Sequence, residues 1–360
     1  MNNRFQEVVN SVFSIGLFRF LLIAAAVFLL RFDLWSPAII TVILLVIAET
    51  GRWWSRSGLR YLELEKHFKP QRLFAGEKTS LTVNIYNHKF LPLIAEWTQE
   101  LPDGLDASDL SVATLLPRHS SFFIQSEITA RRRGFYEIPP SAVTSSDGTG
   151  LFSYQMAIGD ICPLIVYPRL EDWSQIGLKP SDLIGEMADR RYILPDPVKV
   201  AGLREYTPDM PARLINWKAS AGKDMPMAKM IEPSADYKLC LAVDADIIGE
   251  EDAGSNRFEK ALSIAASITV WADENGIAVG LVINASQTGL PGPVSVPVNT
   301  GFPHTLLILE KLARVEGNPS GALEELLWKD KHSIPWGTAL VVIGASIKPR
   351  GMGRIISIPC

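Results

Sequence analysis

Residues 203–244 read LREYTPDMPARLINWKASAGKDMPMAKMIEPSADYKLCLAVD and combine two patterns. The first half has neither a helical nor a strand period, so we expect a polar loop. Its candidate binding residues are Arg204, Glu205, Tyr206, Arg213, Asn216, Trp217 and Lys218. The second half contains an apolar run, residues 237–243, that is followed by Asp244 and Asp246. Because open α/β sheets bind ligands at the carboxyl ends of their strands, this run predicts the crevice of such a sheet.

The chain after Asp244 alternates between strand and helix patterns. Strands are expected at residues 277–283, 294–298, 338–343 and 355–358. Helices are expected at residues 258–275, 303–315 and 322–328, the first of them preceded by a capping box of Asn256 and Glu259. The alternation predicts a doubly wound α/β domain over residues 236–360.

Two apolar runs lie near the amino terminus and predict a membrane anchor. Since a membrane-spanning helix needs about 20 residues, each run just suffices with its flanks. We predict a transmembrane helical hairpin in residues 1–60, with spans at about 12–31 and 34–50, in the inner or plasma membrane. A hairpin that only dips into the bilayer is the alternative.

Basic residues indicate the orientation of this anchor. Arg4, Arg52, Arg56, Arg60 and Lys66 lie on the side where the hairpin has both its ends. The positive-inside rule therefore places that side, with the soluble domains, in the cytoplasm, as a multi-pass membrane protein. A soluble part outside the cytoplasm, as in a sensor or adhesin, is the opposite hypothesis.

Residues 61–170 show an apolar period of two. In residues 80–86 and 122–128 the apolar side chains fall on one face, and turn residues follow at 87–88, 102–104, 139–140 and 147–148. This pattern predicts a small antiparallel β-sandwich. The basic run Arg131–Arg132–Arg133 indicates a solvated strand end, with a contact to anionic lipid head groups as the alternative.

Residues 171–235 show no clean period and predict an irregular connector. This connector carries residues 203–221, which we call the central motif. Within it, Leu214 and Ile215 are apolar neighbours of Trp217, and we expect Trp217 to be buried and to pin the loop.

Composition excludes several classes of function. Lys plus Arg is 35 and Asp plus Glu is 39, a net charge of −4 that gives no general attraction to nucleic acid. Cys162, Cys240 and Cys360 are far apart and odd in number, which indicates neither a disulfide framework nor a zinc site. The sequence contains no Gly-rich phosphate loop with Lys, no G-x-S-x-G and no H-E-x-x-H, so we do not expect an enzyme.

The central motif, LREYTPDMPARLINWKASA, resembles the pattern L-R-E-Y-x-P-G-D-D-x-R-x-I-D-W-K-x-S-A of the domain-of-unknown-function fifty-eight family. Further similarity lies in RRRGFYEI at 131–138, GLF at 150–152 and IVYPR at 165–169. Members of this family are bacterial and archaeal membrane proteins that are often encoded beside MoxR-type AAA ATPases. The resemblance implies a last domain similar to a von Willebrand factor A domain, which mediates protein–protein contacts. It also implies a MoxR-type AAA ATPase as partner.

This chain departs from the family pattern in the central motif. Asp209, Met210 and Pro211 stand where the family has Gly-Asp-Asp, and Asn216 stands for an Asp. Just after the motif, Gly222 stands for a common Arg. These departures remove charged groups from the loop.

A von Willebrand factor A domain can hold Mg²⁺ through Asp-x-Ser-x-Ser after its first strand, because hard cations prefer oxygen ligands. The corresponding positions here are Asp244, Asp246 and Ile248, and Ile248 cannot coordinate. One interpretation is a degenerate Mg²⁺ site at Asp244 and Asp246. The other is that Asp244 caps the next helix or accepts hydrogen bonds from loop amides, with no cofactor.

The predicted architecture is a multi-domain chain with a helical hairpin, a β-sandwich and a von Willebrand factor A-like α/β domain. Its expected function is a membrane-anchored protein–protein interaction module that acts as an adaptor or partner of a MoxR-type AAA ATPase. The alternative function is a metal-dependent ligand-binding or hydrolytic protein that uses Asp244 and Asp246.

Overall fold

The computed structural model describes residues 6–8, 16–90, 92–146, 153–177, 200–207, 210, 215–222, 225–231, 237–246, 252–290, 292–330, 334–335, 337–344 and 355–358. Arg213 and Ile248 lie outside these ranges, as does the predicted turn at 147–148. The chain divides into two compact units, Met1–Arg169 and Leu170–Cys360.

The first unit begins with strand β1 (Gln6–Val8) and two helices, α1 (Gly16–Arg31) and α2 (Trp35–Gly58). Within the described ranges, α2 is the one helix that is long and apolar enough to cross a membrane. It continues past the predicted end of the second span at residue 50. Helix α1 has 16 residues, so the first span stays a prediction. Arg19 Nε of α1 lies 2.6 Å from Glu49 Oε1 of α2, which gives each of these charges a partner.

Eleven strands follow α2 in the described part of the first unit. They are β2 (Leu62–Lys69), β3 (Arg72–Phe74), β4 (Lys78–Asn87), β5 (Leu93–Thr98), β6 (Leu105–Ala107), β7 (Ser111–Leu116), β8 (Ser120–Ala130), β9 (Gly134–Ile138), β10 (Ser141–Ser146), β11 (Ser153–Ile158) and β12 (Cys162–Tyr167). One sheet has the order β2–β4–β8–β6 and another the order β1–β11–β10–β5–β7. A smaller sheet, β3–β12–β9, contains the parallel pair β3 and β12, which departs from the all-antiparallel prediction.

The two larger sheets share one apolar core. Alternate residues of β4 are buried, among them Leu81, Val83 and Ile85, as the period of two predicts. They belong to the same buried cluster as Trp97 of β5 and Met156 of β11, which lie in the other sheet. This shared core corresponds to the predicted sandwich.

The basic run lies at the end of the sandwich away from α2. Arg131 follows β8, whose first residue pairs with Asn87 near the beginning of β2. Arg131 forms an ion pair with Asp106, and its backbone N–H donates to Gly104 O at 2.8 Å. This position favours the predicted solvated strand end over the alternative, a contact with lipid head groups.

The predicted connector contains regular structure. Helix α3 (Trp173–Ile176) is followed, beyond residues 178–199, by β13 (Val200–Glu205), α4 (Trp217–Ser220) and β14 (Met227–Ile231). Strands β13 and β14 pair antiparallel. The expectation that the central motif is only a loop was therefore wrong for its first residues. Its strand was missed because residues 203–205 are all exposed and show no alternation of burial.

The second unit continues as an α/β domain. Its elements are β15 (Lys238–Val243), α5 (Asp252–Glu274), β16 (Ala278–Ile283), β17 (Ala285–Gln287), β18 (Val294–Asn299), α6 (Phe302–Arg314), β19 (Val315–Pro319), α7 (Leu323–Lys329), β20 (Ala339–Ile343) and β21 (Ile355–Ile358). The main sheet has the order β18–β16–β15–β20–β21, in which only β18 is antiparallel. Strands β17 and β19 form a separate pair that was not predicted.

Buried strands β15 and β20 form the centre of this sheet. Leu323 and Leu327 of α7 pack in one cluster with Cys240 and Ala242, which share a face of β15. Helix α5 begins at Asp252, so Asn256 lies inside the helix and the predicted capping box was wrong.

Candidate functional site

The central motif begins in β13 and continues into the connection between β13 and β14. The pairing of β13 with β14 ends at Glu205 and Met227. Beyond it, Tyr206 N donates to Pro226 O at 2.9 Å, and Asn216 N donates to Met227 O at 2.7 Å. The hydroxyl of Tyr206 donates to Met210 O at 3.0 Å. The first two of these bonds attach Tyr206 and Asn216 to Pro226 and Met227, at the start of β14.

Asn216 caps the short helix α4. Its Oδ1 accepts a hydrogen bond from Ala219 N at 3.2 Å, and its backbone oxygen accepts one from Ser220 Oγ at 2.8 Å. Ser220 Oγ in turn accepts from Met227 N at 2.8 Å, which ties α4 to β14. Asn and Asp both cap helices through a side-chain oxygen, so Asn216 retains this structural role without the charge.

Trp217 is presented to solvent, contrary to the expected burial. Its side chain is 73% exposed, whereas Met227 and Ala228 of β14 are buried. The hydrogen bonds of Asn216 and Ser220 fix α4 without the side chain of Trp217. Ile215 is half-buried, and Leu214 lies outside the described residues.

The other predicted residues of the central motif divide between structure and surface. Tyr206 and Asn216 are half-buried and make the hydrogen bonds just given. Arg204, Glu205 and Lys218 are exposed. The prediction for Arg213 lies outside the described residues. The structure therefore leaves Trp217 and its charged neighbour Lys218 as the side chains of α4 that a partner can reach.

A second candidate site lies at the carboxyl edge of the parallel sheet, as the pattern of residues 237–246 predicts. Asp244 follows β15, and Asn284 follows the neighbouring strand β16. Asn284 is 1% exposed and Asp244 is 8% exposed. Asn284 Nδ2 donates to Asp244 Oδ1 at 2.9 Å and lies 3.4 Å from Asp246 Oδ2.

Two backbone groups fix the orientation of the Asn284 amide. Its Oδ1 accepts from Ala245 N at 2.6 Å, and its Nδ2 donates to Gly321 O at 3.0 Å. If the amide were reversed, Nδ2 would face the N–H of Ala245, and Oδ1 would face Gly321 O and Asp244 Oδ1, so none of these hydrogen bonds could form. Asn284 therefore turns its N–H groups, not its oxygen, toward the two carboxylates.

This arrangement disfavours the degenerate Mg²⁺ site, because Asn284 turns N–H groups toward the two carboxylates. A Mg²⁺ ion would need oxygen ligands, but Asp244 Oδ1 already accepts from Asn284 Nδ2 and from Asp246 N at 3.1 Å. No cluster of three His, Cys, Asp or Glu side chains that suits a metal occurs among the residues the structure describes. The bond from Asp246 N instead matches the alternative in which Asp244 accepts from a loop amide.

Asp246 is the more accessible of the two carboxylates. Partial burial, and secondarily the negative charge of Asp244, raise the pKa of Asp246. Asn284 was missed at the sequence level. It follows an apolar strand as Asp244 does, and applying the same rule to residues 278–284 would have found it.

A model of the family described as "Protein of unknown function DUF58" matches residues 202–334. The match includes the central motif and the carboxyl edge with Asp244 and Asn284. The "Uncharacterized protein YeaD" of Bacillus subtilis (strain 168) is 23% identical over 261 residues, which cover 71% of this chain and 63% of that protein. The chain thus spans less than two thirds of the length of this curated relative.

Two solved structures show limited similarity to the chain. The ASH/PapD-like domain of human CEP192 aligns with 29% of this chain and 84% of its own, at 13% identity and a TM-score of 0.21. WR4, a C. elegans MSP family member, aligns with 28% of this chain and 96% of its own, at 8% identity and a TM-score of 0.19. These scores support no inference about the fold or function of this chain.

Proposed function

We propose that this chain is a membrane-anchored protein–protein interaction module that docks its partner through Trp217. The observation that carries the proposal is the exposure of Trp217 on a turn that other residues hold in place. Tryptophan dominates the binding energy of many interfaces because it buries a large rigid surface. A tryptophan kept exposed at the start of a fixed helical turn is therefore a candidate anchor for a partner.

The fixed turn lowers the entropy lost on binding. Asn216 and Ser220 hold α4 through hydrogen bonds that do not involve the indole. A partner that covers Trp217 would then immobilise little more than one side chain with two rotatable bonds. Lys218, next to it, is exposed and would favour an acidic rim on the partner.

The proposed partner is a MoxR-type AAA ATPase, which follows from the family resemblance. We further propose that the α/β domain is of the von Willebrand factor A type. Its strand order, with the first strand central and an antiparallel edge strand, supports this proposal. In this account Asp244 and Asn284 stabilise the carboxyl edge of the domain, and no catalytic step is assigned to them.

The anchor is proposed to cross the membrane twice. Support comes from β1, which precedes α1 and pairs with β11, a strand that follows α2. The chain must then enter and leave the α1–α2 pair on the same side. If α2 crosses the bilayer, α1 crosses it as well, and the ion pair of Arg19 with Glu49 lessens the cost of both charges. The basic residues on the side of the soluble domains favour the cytoplasm.

Affinity purification of the full chain from crosslinked membranes of its native host tests the proposed partner. Trp217→Ala should lower the recovery of a MoxR-type AAA ATPase at least about tenfold, as expected for a residue worth about 2 kcal/mol in an interface. Trp328→Ala is the matched control, because Trp328 is a 46% exposed tryptophan of the same unit outside the central motif. Unchanged recovery with Trp217→Ala would reject the docking surface, and absence of any such ATPase would reject the partner.

A further inference from the structure

The strand registers bring several loops to one end of the β-sandwich, beside the end of α2. Leu62, which begins β2, pairs with Asn87, and Asn87 pairs with Ser120. In the other sheet Leu93 pairs with Leu116. We call this end the helix-proximal end and define it by residues 59–62, 87–90, 92–93 and 115–120.

The helix-proximal end is held against the last turn of α2. Lys89 Nζ donates to Ser57 O at 2.9 Å and also to Gly58 O, so a cation caps the carboxyl end of the helix. A Cβ at Gly58 would lie 2.7 Å from Leu93 Cδ1, which shows how closely the helix approaches β5. The orientation of the helix therefore determines where this end of the sandwich lies.

The exposed side chains of this end are of the types found at membrane–water interfaces. Phe90 is 68% exposed, and the Arg118 guanidinium lies 5.1 Å from the centre of its ring. Tyr61 and Leu115 are also exposed. Aromatic rings with adjacent cations suit the head-group layer, where the ring meets the acyl boundary and the cation meets phosphate.

The length of α2 puts this end at the depth of the head groups. Trp53 and Trp54 follow the apolar part of α2 and mark the expected interface. Gly58 lies about 6 Å further along the helix, at 1.5 Å per residue. The head-group layer on each side of a bilayer is itself about 5–7 Å thick. Loops that touch Ser57 and Gly58 therefore reach the head groups.

We propose that the helix-proximal end docks on the same bilayer that α2 crosses, with Phe90 inserted between head groups and Arg118 bound to the phosphate of anionic lipids. The inference rests on the membrane anchor of the proposed function. It assigns a lipid-binding surface to the β-sandwich itself, which then lies on the membrane at a fixed angle.

The opposite end of the sandwich offers an internal comparison. Arg131 and Arg132 follow β8, whose 11 residues separate them from Ser120 by about 36 Å of extended chain. Arg132 is exposed like Arg118, but it lies beyond the reach of the head groups. Arginine as such is common to both ends, so only position relative to α2 distinguishes them.

The test uses the full chain with Cys360→Ser in nanodiscs of equal parts phosphatidylcholine and phosphatidylglycerol. Cys162 and Cys240 are buried, so single introduced cysteines can carry a bimane fluorophore. Labels are placed at Leu115→Cys in the helix-proximal end, at Lys78→Cys in the opposite end and at Trp53→Cys on α2. Phosphatidylcholine with a nitroxide on its head group is the quencher.

The expected result is strong quenching at positions 115 and 53 and none at position 78. Arg118→Ser should shift the equilibrium between docked and undocked sandwich about fivefold toward the undocked state, since a basic residue near an anionic surface contributes about 1 kcal/mol. Arg132→Ser should leave quenching at position 115 unchanged. Phe90→Ser, like Arg118→Ser, should reduce quenching at position 115.

Three results would overturn the inference, and they can be told apart. Quenching at position 53 with none at position 115 would leave the anchor intact and reject the docking surface. Absence of quenching at all three positions would reject the anchor and, with it, both proposals. Quenching at position 115 that does not depend on phosphatidylglycerol or on Arg118 would reject the contact with anionic phosphate.

Discussion

Asn284 is the residue whose removal should most weaken the carboxyl edge of the α/β domain. In Asn284→Ala, the buried N–H of Ala245 loses its acceptor, and Asp244 Oδ1 loses one of its two donors. An unsatisfied buried donor costs about 1–3 kcal/mol, and a hydrogen bond to a charged group contributes about 1.5–3 kcal/mol. Gly321 is exposed, so its carbonyl oxygen can bond to water instead. The expected destabilisation is therefore about 2.5–6 kcal/mol.

Hydrogen exchange followed by mass spectrometry measures this effect within the full chain. Peptides from β15 and β16 should exchange at least about thirty-fold faster in Asn284→Ala, because each 1.4 kcal/mol changes an equilibrium tenfold. Peptides from the β-sandwich serve as the internal reference. The matched control is Asn275→Ala, which removes one hydrogen bond, from Nδ2 to Trp271 O at 2.7 Å, of an exposed asparagine in the same unit.

Equal exchange rates of β15 and β16 in Asn284→Ala and Asn275→Ala would contradict this prediction. That result would mean that Asn284 does not hold the carboxyl edge together.

Three further predictions concern other contacts. Asp244→Asn should retain the fold, since an amide oxygen can accept the same two hydrogen bonds, and calorimetry should show no stabilisation of either form by added Mg²⁺; Mg²⁺-dependent stabilisation lost in the variant would restore the metal hypothesis. Gly58→Ala should lower the free energy of unfolding of the sandwich by about 1–3 kcal/mol, because the added methyl group clashes with Ser145 and Leu93, and adding Ser145→Ala should recover part of the loss. Equal melting temperatures of the parent and both variants would contradict the close approach of α2 to the sandwich. Burial lowers the pKa of Lys89 to about 8, so between about pH 8 and 10.5 the unfolded chain binds more protons at Lys89 than the folded chain does, and the free energy of unfolding should increase as the pH rises. Denaturant titrations should show a smaller increase in Lys89→Met, and an equal increase would contradict the lowered pKa.

Sequence patterns were sufficient for strands that are buried along their whole length or at every second residue. The apolar runs at Leu239–Val243 and Ala339–Ile343 predict central parallel strands because only a sheet covered on both faces accommodates them. In the sandwich, the alternation around Leu81, Val83 and Ile85 predicts a strand with one buried face. In both cases burial is a property of the segment itself.

Features that depend on distant residues were not predicted. Strand β1 has three residues and exists through its pairing with β11, about 147 positions away in the chain. The exposure of Trp217 follows from hydrogen bonds that Asn216 and Ser220 make with each other and with Met227. The apolar character of Trp217 favoured burial, but the sequence around it does not show whether the folded chain has room to bury it.

Site-specific photo-crosslinking tests whether Trp217 is the docking residue of a membrane-anchored module. A benzophenone amino acid replaces Trp217 in the full chain within native membranes, and a second variant carries it in place of Trp328. We expect an irradiation-dependent adduct with a MoxR-type AAA ATPase from position 217 and none from position 328. An adduct with that ATPase from position 328 alone, or no protein adduct from position 217, would contradict it.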